Sequence, residues 1–297
     1  MDSAAANLHV KTTREMIHLT RADARRMEAA EEYGALWYAQ AIKPDHPEWG
    51  IEWQEFLGGH LVFVAPRSLV GRAHGLGFAG HVTPEDIARV EDFYFRHEAD
   101  AQVDVCPFAD LSLSEALNRR GFQVAEFNQT LARWVASDES FATPRDGLEL
   151  RRVTREEGPE WSNLLAQVFF PDQASNFGRF FLPWVAHENA ICLGAFVGGK
   201  MVGGAGGLII PAHNMAGFFG AATLPDFRGR GIQTALLEER LRLAQEAGCD
   251  LAVTLTMPGT SSQRNAERAG FRTAYTKVVV VKRHPKSPGP VHVHYSE

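Results

Sequence analysis

The sequence lacks paired cysteines. Only Cys106, Cys192 and Cys249 occur among 297 residues, far apart and with no CxxC spacing. That excludes a disulfide framework, offers no zinc-ligand pattern, and leaves buried reduced thiols as the expectation. There is no apolar run near the roughly 20 residues that a membrane span needs. The start, MDSAAANLHVKTTREM, has no basic stretch followed by an apolar one, so no signal peptide and a cytoplasmic protein are expected. There is no excess of positive charge: 30 Lys and Arg stand against 36 Asp and Glu, a net charge of −6. A nucleic-acid partner is therefore not expected, nor is a membrane partner. A Walker loop, GxxxxGK[ST], is missing, and GGKM at 198–201 does not replace it. His292 and His294 do not make a metal site by themselves, and no metal is expected.

What is present suits two packed domains with ordinary apolar content, 45%. TRAD at 20–23 has the form of a capping box and opens a helix to about Ala41. GGHLVFVAP reads as a strand. Thr83 and Pro84 open a second helix, with Asp86 at the third position. AQVDVC alternates as a strand does, and LSLSEALNRRGF reads as a short helix closed by Gly121. Two strands are expected near Gln123–Phe127 and Thr130–Val135. The polar stretch at 136–147 is the linker candidate. Beyond it LELRRV is a strand, and Thr154 with Glu157 forms another capping-box pattern before a helix to Phe170. AICLGAFVGGKMVGGAGGLII gives two strands, and MAGFFGAAT and DLAVTLTM give two more. SSQRNAERAGF is a short helix and AYTKVVVVK a final strand. LNRRGF at 117–122 and AERAGF at 266–271 stand 149 residues apart in the same order of elements, which points to an internal duplication.

The most informative stretch is FRGRGIQTALLEERL, 227–241. A helix start presents unpaired N–H groups and partial positive charge, and glycines let a backbone come close to an anion. Arg228 and Arg230 add guanidinium groups that pair with phosphate oxygens. The composition is that of a diphosphate cradle; a tight turn with two exposed arginines is the plainer alternative. A dinucleotide fingerprint fails, since Thr234 occupies the third glycine position.

At this point Ala221 to Phe271 resembles the Gcn5-related N-acetyltransferase (GNAT) family. The family's coenzyme A signature, R/Q-x-x-G-x-G/A, is met by Arg228 and Gly231, with Gln233 departing from it at the last position. NAERAGF resembles the family's short helix ending in Gly-Phe. The resemblance implies an α/β (α+β) fold of two tandem GNAT-like domains, each a mixed, mostly antiparallel sheet flanked by helices. Expected boundaries are 1–140 for a degenerate copy without a cradle, 147–284 for the acetyltransferase domain and 285–297 for a tail. It implies acetyl-CoA as co-substrate, lying between strands splayed at Ala221–Thr223 and Leu251–Met257. Its arm would pair with Ala221, Ala222 and Thr223, and its diphosphate with the amides of Gly229, Arg230, Gly231, Ile232, Gln233 and Thr234. Ser262 and Asn265 either bond the arm or simply cap the helix. In the first copy TPED falls where the cradle helix would start. Pro84 has no amide proton, and Glu85 and Asp86 repel phosphate, so that copy is expected to be silent.

The resemblance implies acyl transfer to a small amine or a peptide amino group in a ternary complex. Amides of Ala222 or Thr223 would stabilise the carbonyl oxygen. Relatives use a tyrosine to protonate the thiolate where this chain has Ala266. Tyr275, Ser262 or a water are the substitutes, Tyr275 having also the plainer reading of a strand aromatic. For the base, His187, Glu188 and His213 border the expected site, though each also reads as a surface residue. Phe177, Phe180, Phe181 and Trp184 either line an apolar acceptor pocket or form one buried helix face. A homodimer is compatible with all this. The rival readings are a non-catalytic acyl-CoA sensor and a scaffold whose glycine turn is structural.

Overall fold

The computed structural model describes residues 19–66 and 68–287. The N-terminal stretch, most of the expected tail, and His292 and His294 lie outside the described residues. Helix α1, Arg21–Ile42, begins as the sequence requires: Thr20 Oγ1 accepts from the Asp23 amide, and the Asp23 carboxylate accepts from the Thr20 amide. There follow β1 (Glu52–Phe56), β2 (Gly59–Phe63), β3 (Ala73–His74), α2 (Pro84–Phe95), β4 (Ala101–Val105), α3 (Leu111–Arg119) and β5 (Gln123–Trp134). After the linker come β6 (Leu148–Arg152), α4 (Gly158–Phe169), the single turn α5 (Ala174–Phe177), β7 (Leu193–Val197), β8 (Lys200–Ile210) and β9 (Met215–Thr223). The chain closes with α6 (Ile232–Glu246), β10 (Leu251–Thr256), α7 (Ser261–Arg268) and β11 (Arg272–Lys282).

The eleven strands among the described residues form one mixed, mostly antiparallel sheet in the order β1-β2-β3-β4-β11-β5-β10-β9-β8-β7-β6. The duplication is visible hydrogen bond by hydrogen bond. Phe122 N donates to Leu117 O at 3.1 Å, and Phe271 N donates to Ala266 O at 3.0 Å. Gly121 and Gly270, each at a φ that side chains avoid (78° and 88°), close the two short helices. The two halves have exchanged their last strands. β5 pairs with β10 of the second half (Leu251↔Trp134 to Thr256↔Gln129), and β11 pairs with β4 of the first (Val278↔Val105 to Lys282↔Ala101). β5 and β11 also pair with each other. The sheet therefore has no seam where one half could pull away without breaking ladder hydrogen bonds.

Two expectations need correcting. β5 is one strand, not two, because it has a partner on both edges at Gln129–Leu131, which carries the chain straight through the polar NQT. β1 and β3 were not expected: β1 is an edge strand with a mixed polar face, and β3 is only two residues long. Helices α1 and α4 share a core on one face of the sheet with Ala132, Val253 and Tyr275. On the other face α6 and Phe271 bury Leu131 and Ala252, while α2 and α3 bury Leu61, Ala73 and Val103.

Candidate active site

β9 and β10 run parallel and in register from Met215↔Leu251 to Phe218↔Thr254, and there the pairing stops. Beyond that point β9 stays with β8 and β10 stays with β5, so the sheet opens as a V. β9 carries one extra residue against β8 between Phe219 and Ala222, and Gly220 takes φ 55° to accommodate it. A cavity of about 870 Å³ occupies the split. Phe219 to Thr223, Leu255 to Met257, Ser262 and Asn265 line it.

At the mouth of the V, α6 begins at Gly231 with no side-chain cap and no acidic residue in its first turn. Gly229 and Gly231 sit at φ 74° and 79°, a conformation that any other residue adopts only with strain. The amides of Arg228 and Ala235 are used by Pro225 O and Gly231 O. Those of Gly229 to Thr234 have no partner among the described residues. Arg228 lines the cavity, its Nε donating to Thr223 O at 3.4 Å. Arg230 does not line it: the guanidinium turns back to Asp226 O and over the Phe227 ring. Gln233, the departure from the motif, donates from Nε2 to Thr223 Oγ1 at 2.9 Å and so ties the helix start to the end of β9. Arg145 of the linker approaches Gly231, a contact the sequence did not announce.

The residues present fit coenzyme A on two observations. One is the row of unconsumed amides facing a cavity of ligand size. The other is Thr256 Oγ1, buried in the cavity wall with no hydrogen-bond partner. The helix α7 is capped by Thr260, whose Oγ1 accepts from Gln263 N. Ser262 is thus not needed as a cap, while Asn265 Oδ1 accepts from Arg268.

Several expected chemical residues lie elsewhere. Tyr275 does not line the cavity. It is buried on the α1 face and donates to Glu28 Oε1 at 2.7 Å. Burial, with Glu28 adjacent, pushes its hydroxyl far above the ordinary tyrosine value. His187 is buried against Trp37 and Tyr33, and its Nδ1 accepts from Asn189 N. Burial lowers its pKa. Glu188 and His213 are exposed, and none of these three lines the cavity. The aromatic segment divides: Phe180, Phe181 and Trp184 line the cavity, and Phe181 and Trp184 are also buried in the core. Phe177 lines a separate pocket and stacks on Phe170.

The first half contributes what the sequence did not signal. The cavity continues between α1 and residues 68–72, and Glu31, Gly34, Arg72 and His74 line it there. Behind them Lys277, 1% exposed, meets Glu28, Glu31 and Asp104. Burial drives the Lys277 pKa down. Asp104 is buried too, which alone would raise its pKa, but Arg72 and the His74 hydrogen bond hold it below the usual value. Only the alternation of AQVDVC and the charge of AEEYG hinted at these groups. The three cysteines are unpaired and buried, as expected. Among the described residues no helix is long and apolar enough to cross a membrane.

Comparison with known proteins agrees with this geometry. Residues 151–271 match the acetyltransferase (GNAT) family. No curated protein matches the sequence. Among solved structures, a GCN5-related N-acetyltransferase from Kribbella flavida superposes with a TM-score of 0.65 at 15% identity, covering 90% of this chain and 96% of that one. A functionally unknown conserved protein from Staphylococcus epidermidis gives 0.57 at 11% identity, covering 82% and 97%. A tandem GNAT protein from the clavulanic acid biosynthesis pathway gives 0.54 at 14% identity, covering 77% and 74%. At these identities the likeness is one of fold.

Proposed function

The second half of this chain carries a GNAT acetyltransferase domain, and from that premise we propose that the protein is an acyl-CoA-dependent N-acyltransferase. It would have one cofactor site, in residues 147–284, and the first-half copy would bind none. The observation that carries this reading is the open row of amides from Gly229 to Thr234 at the mouth of the β9–β10 split. A bound acyl-CoA supplies an activated acyl group as a thioester.

The chain's own residues then have three tasks. The amides at Gly229–Thr234 and the Arg228 guanidinium hold the diphosphate. Backbone groups of Ala221, Ala222 and Thr223, with Thr256 Oγ1, orient the arm and stabilise the carbonyl oxygen. Glu31, which lines the cavity from α1 beside the buried Lys277, binds the acceptor amine and takes its proton. Phe180, Phe181 and Trp184 form the apolar wall against which the acceptor rests. Ser262 remains the candidate for returning a proton to the thiolate. The acceptor class is a small amine or a peptide amino group.

Mixing acetyl-CoA with a panel of primary amines and following free thiol tests the reading. Turnover is expected, and Glu31→Gln should lower it about a hundredfold, in the range typical of general-base loss. The absence of Tyr275 from the cavity and the presence of Ala266 where relatives have tyrosine favour one alternative, an acyl-CoA sensor. Tight binding of acetyl-CoA without thiol release from any amine would decide for it.

A further inference from the structure

Arg240, in the third turn of α6, is 4% exposed and has no acidic partner among the described residues. Its Nε donates to Leu236 O in its own helix, and Nη1 donates to Gly206 O at 3.0 Å. The guanidinium lies over the Phe218 ring, 4.8 Å from the centroid. Nη2 makes no hydrogen bond among the described residues. An arginine stays protonated in almost any surroundings, and a buried charge is normally matched by an opposite one. Here burial alone pulls its pKa down, because only carbonyl dipoles and a ring face oppose the cost.

The location gives this charge a meaning. Phe218 is the last β9 residue paired with β10, and Gly206 pairs with Phe219, the first residue beyond. Arg240 therefore sits at the apex of the V, where it lines the cavity together with Leu237, Thr254 and Ala266. Thr254 makes no hydrogen bond to it among the described residues, its hydroxyl donating to Phe218 O, and a neutral hydroxyl does not match a charge. The apex is the inner end of the split, opposite the mouth at Gly231. An acyl group carried on an arm anchored at the mouth points there. The acceptor chamber lies across the sheet, under α1 and the aromatic segment, so an acceptor's own carboxylate would have to pass between β9 and β10 to reach Arg240.

Resting on the N-acyltransferase reading, we propose that Arg240 selects acyl donors whose acyl group ends in a carboxylate, the monothioesters of short dicarboxylic acids. The transfer is otherwise unchanged. The neutral amine attacks the thioester carbon, the C–N bond forms and the C–S bond breaks. The amine's proton leaves to Glu31 and the thiolate is protonated. The distal carboxylate stays paired with Arg240 and passes into the product amide.

The test is calorimetric binding of free CoA, acetyl-CoA, propionyl-CoA, malonyl-CoA and succinyl-CoA to the full chain and to Arg240→Met, with turnover measured on the same amines. A desolvated carboxylate–guanidinium pair predicts that malonyl-CoA or succinyl-CoA binds about tenfold or more tighter than acetyl-CoA. In Arg240→Met that ratio should fall to about one, as it should if a single charge pair carries it. Thermal unfolding gives an independent reading: the dicarboxylic thioesters should raise Tm more than acetyl-CoA in the wild type only. If Arg240→Met does not fold, Arg240→Gln replaces it with the same expected ratio. Equal affinity for acetyl-CoA and the dicarboxylic thioesters overturns the proposal. So does a preference that survives in the variant, an equal loss for every donor, or a selectivity that follows the acceptor's carboxylate. Binding of free CoA in those cases leaves the acyltransferase reading standing, whereas failure of every CoA species to bind overturns both.

Discussion

Helices α2 and α6 occupy equivalent places in the two halves and begin in opposite ways. At α2 the Thr83 hydroxyl accepts from Asp86 N, the Asp86 carboxylate accepts from Thr83 N, and Pro84 has no amide proton to leave unpaired. Two acidic side chains fill the first turn. At α6 two left-handed glycines replace the cap, and the amides are left to whatever arrives. The first helix start is closed by its own side chains and favours stability. The second gives up that closure and leaves its amides open, as the proposed anion site requires. One duplicated fold thus holds a finished end and an open one, and the difference lies in fewer than ten residues at each.

Closing the open end should have the largest effect. Gly231→Val forces a β-branched residue to φ near 79°. The cradle must then reshape, and acetyl-CoA affinity should fall about a hundredfold by titration, a strain of a few kcal/mol. Next comes charge. Arg228→Glu should weaken binding about tenfold at low salt and less at high salt. Arg230→Glu, whose side chain lies outside the cavity, should change it only about twofold. Equal losses at the two positions would break the distinction drawn here between them. A smaller effect is expected at the closed end. Thr83→Ala should cost about 1 kcal/mol of stability in urea unfolding and leave acetyl-CoA affinity unaltered.

The smallest contrast is one of pH. The short helices α3 and α7 are equivalent, but Asp110 caps α3 and Thr260 caps α7. Hydrogen bonds from Ser112 hold the Asp110 pKa below its ordinary value. A carboxylate depressed in the folded state stabilises it at pH above the unfolded value and loses that contribution as the pH falls through the folded one. Amide exchange in the first turn of α3 should therefore accelerate below pH about 4, relative to α7, and Asp110→Asn should remove the pH dependence. An identical acid response in the two helices would contradict the assignment of the caps.

The legible parts of the molecule are those written in local chemistry. Thr20 with Asp23, Thr83 with Asp86, and the Gly-Phe pairs at 121–122 and 270–271 each declare their geometry within a few residues. The open helix start was legible for the same reason, since Gly229, Gly231 and the helix after them are contiguous. What could not be read was long-range. Nothing in the sequence of β5 says that it leaves its own half, because the alternation is identical whichever partner it pairs with. Tyr275 looked available because it follows Gly-Phe, yet α1, nearly 250 residues earlier, supplies Glu28 and takes its hydroxyl. Glu31, His74 and Arg240 reach the cavity only through the packing of distant elements. Arg240 is further disguised by a run of charged residues, EERLRL, that reads as a solvated helix face.

Titration of the full chain with acetyl-CoA by calorimetry, wild type beside Gly231→Val, tests the central claim most directly. The account predicts a single site per chain, saturable and largely lost in the variant while the fold persists. Two sites per chain, or undiminished affinity in Gly231→Val, would show that the α6 cradle is not what holds the cofactor.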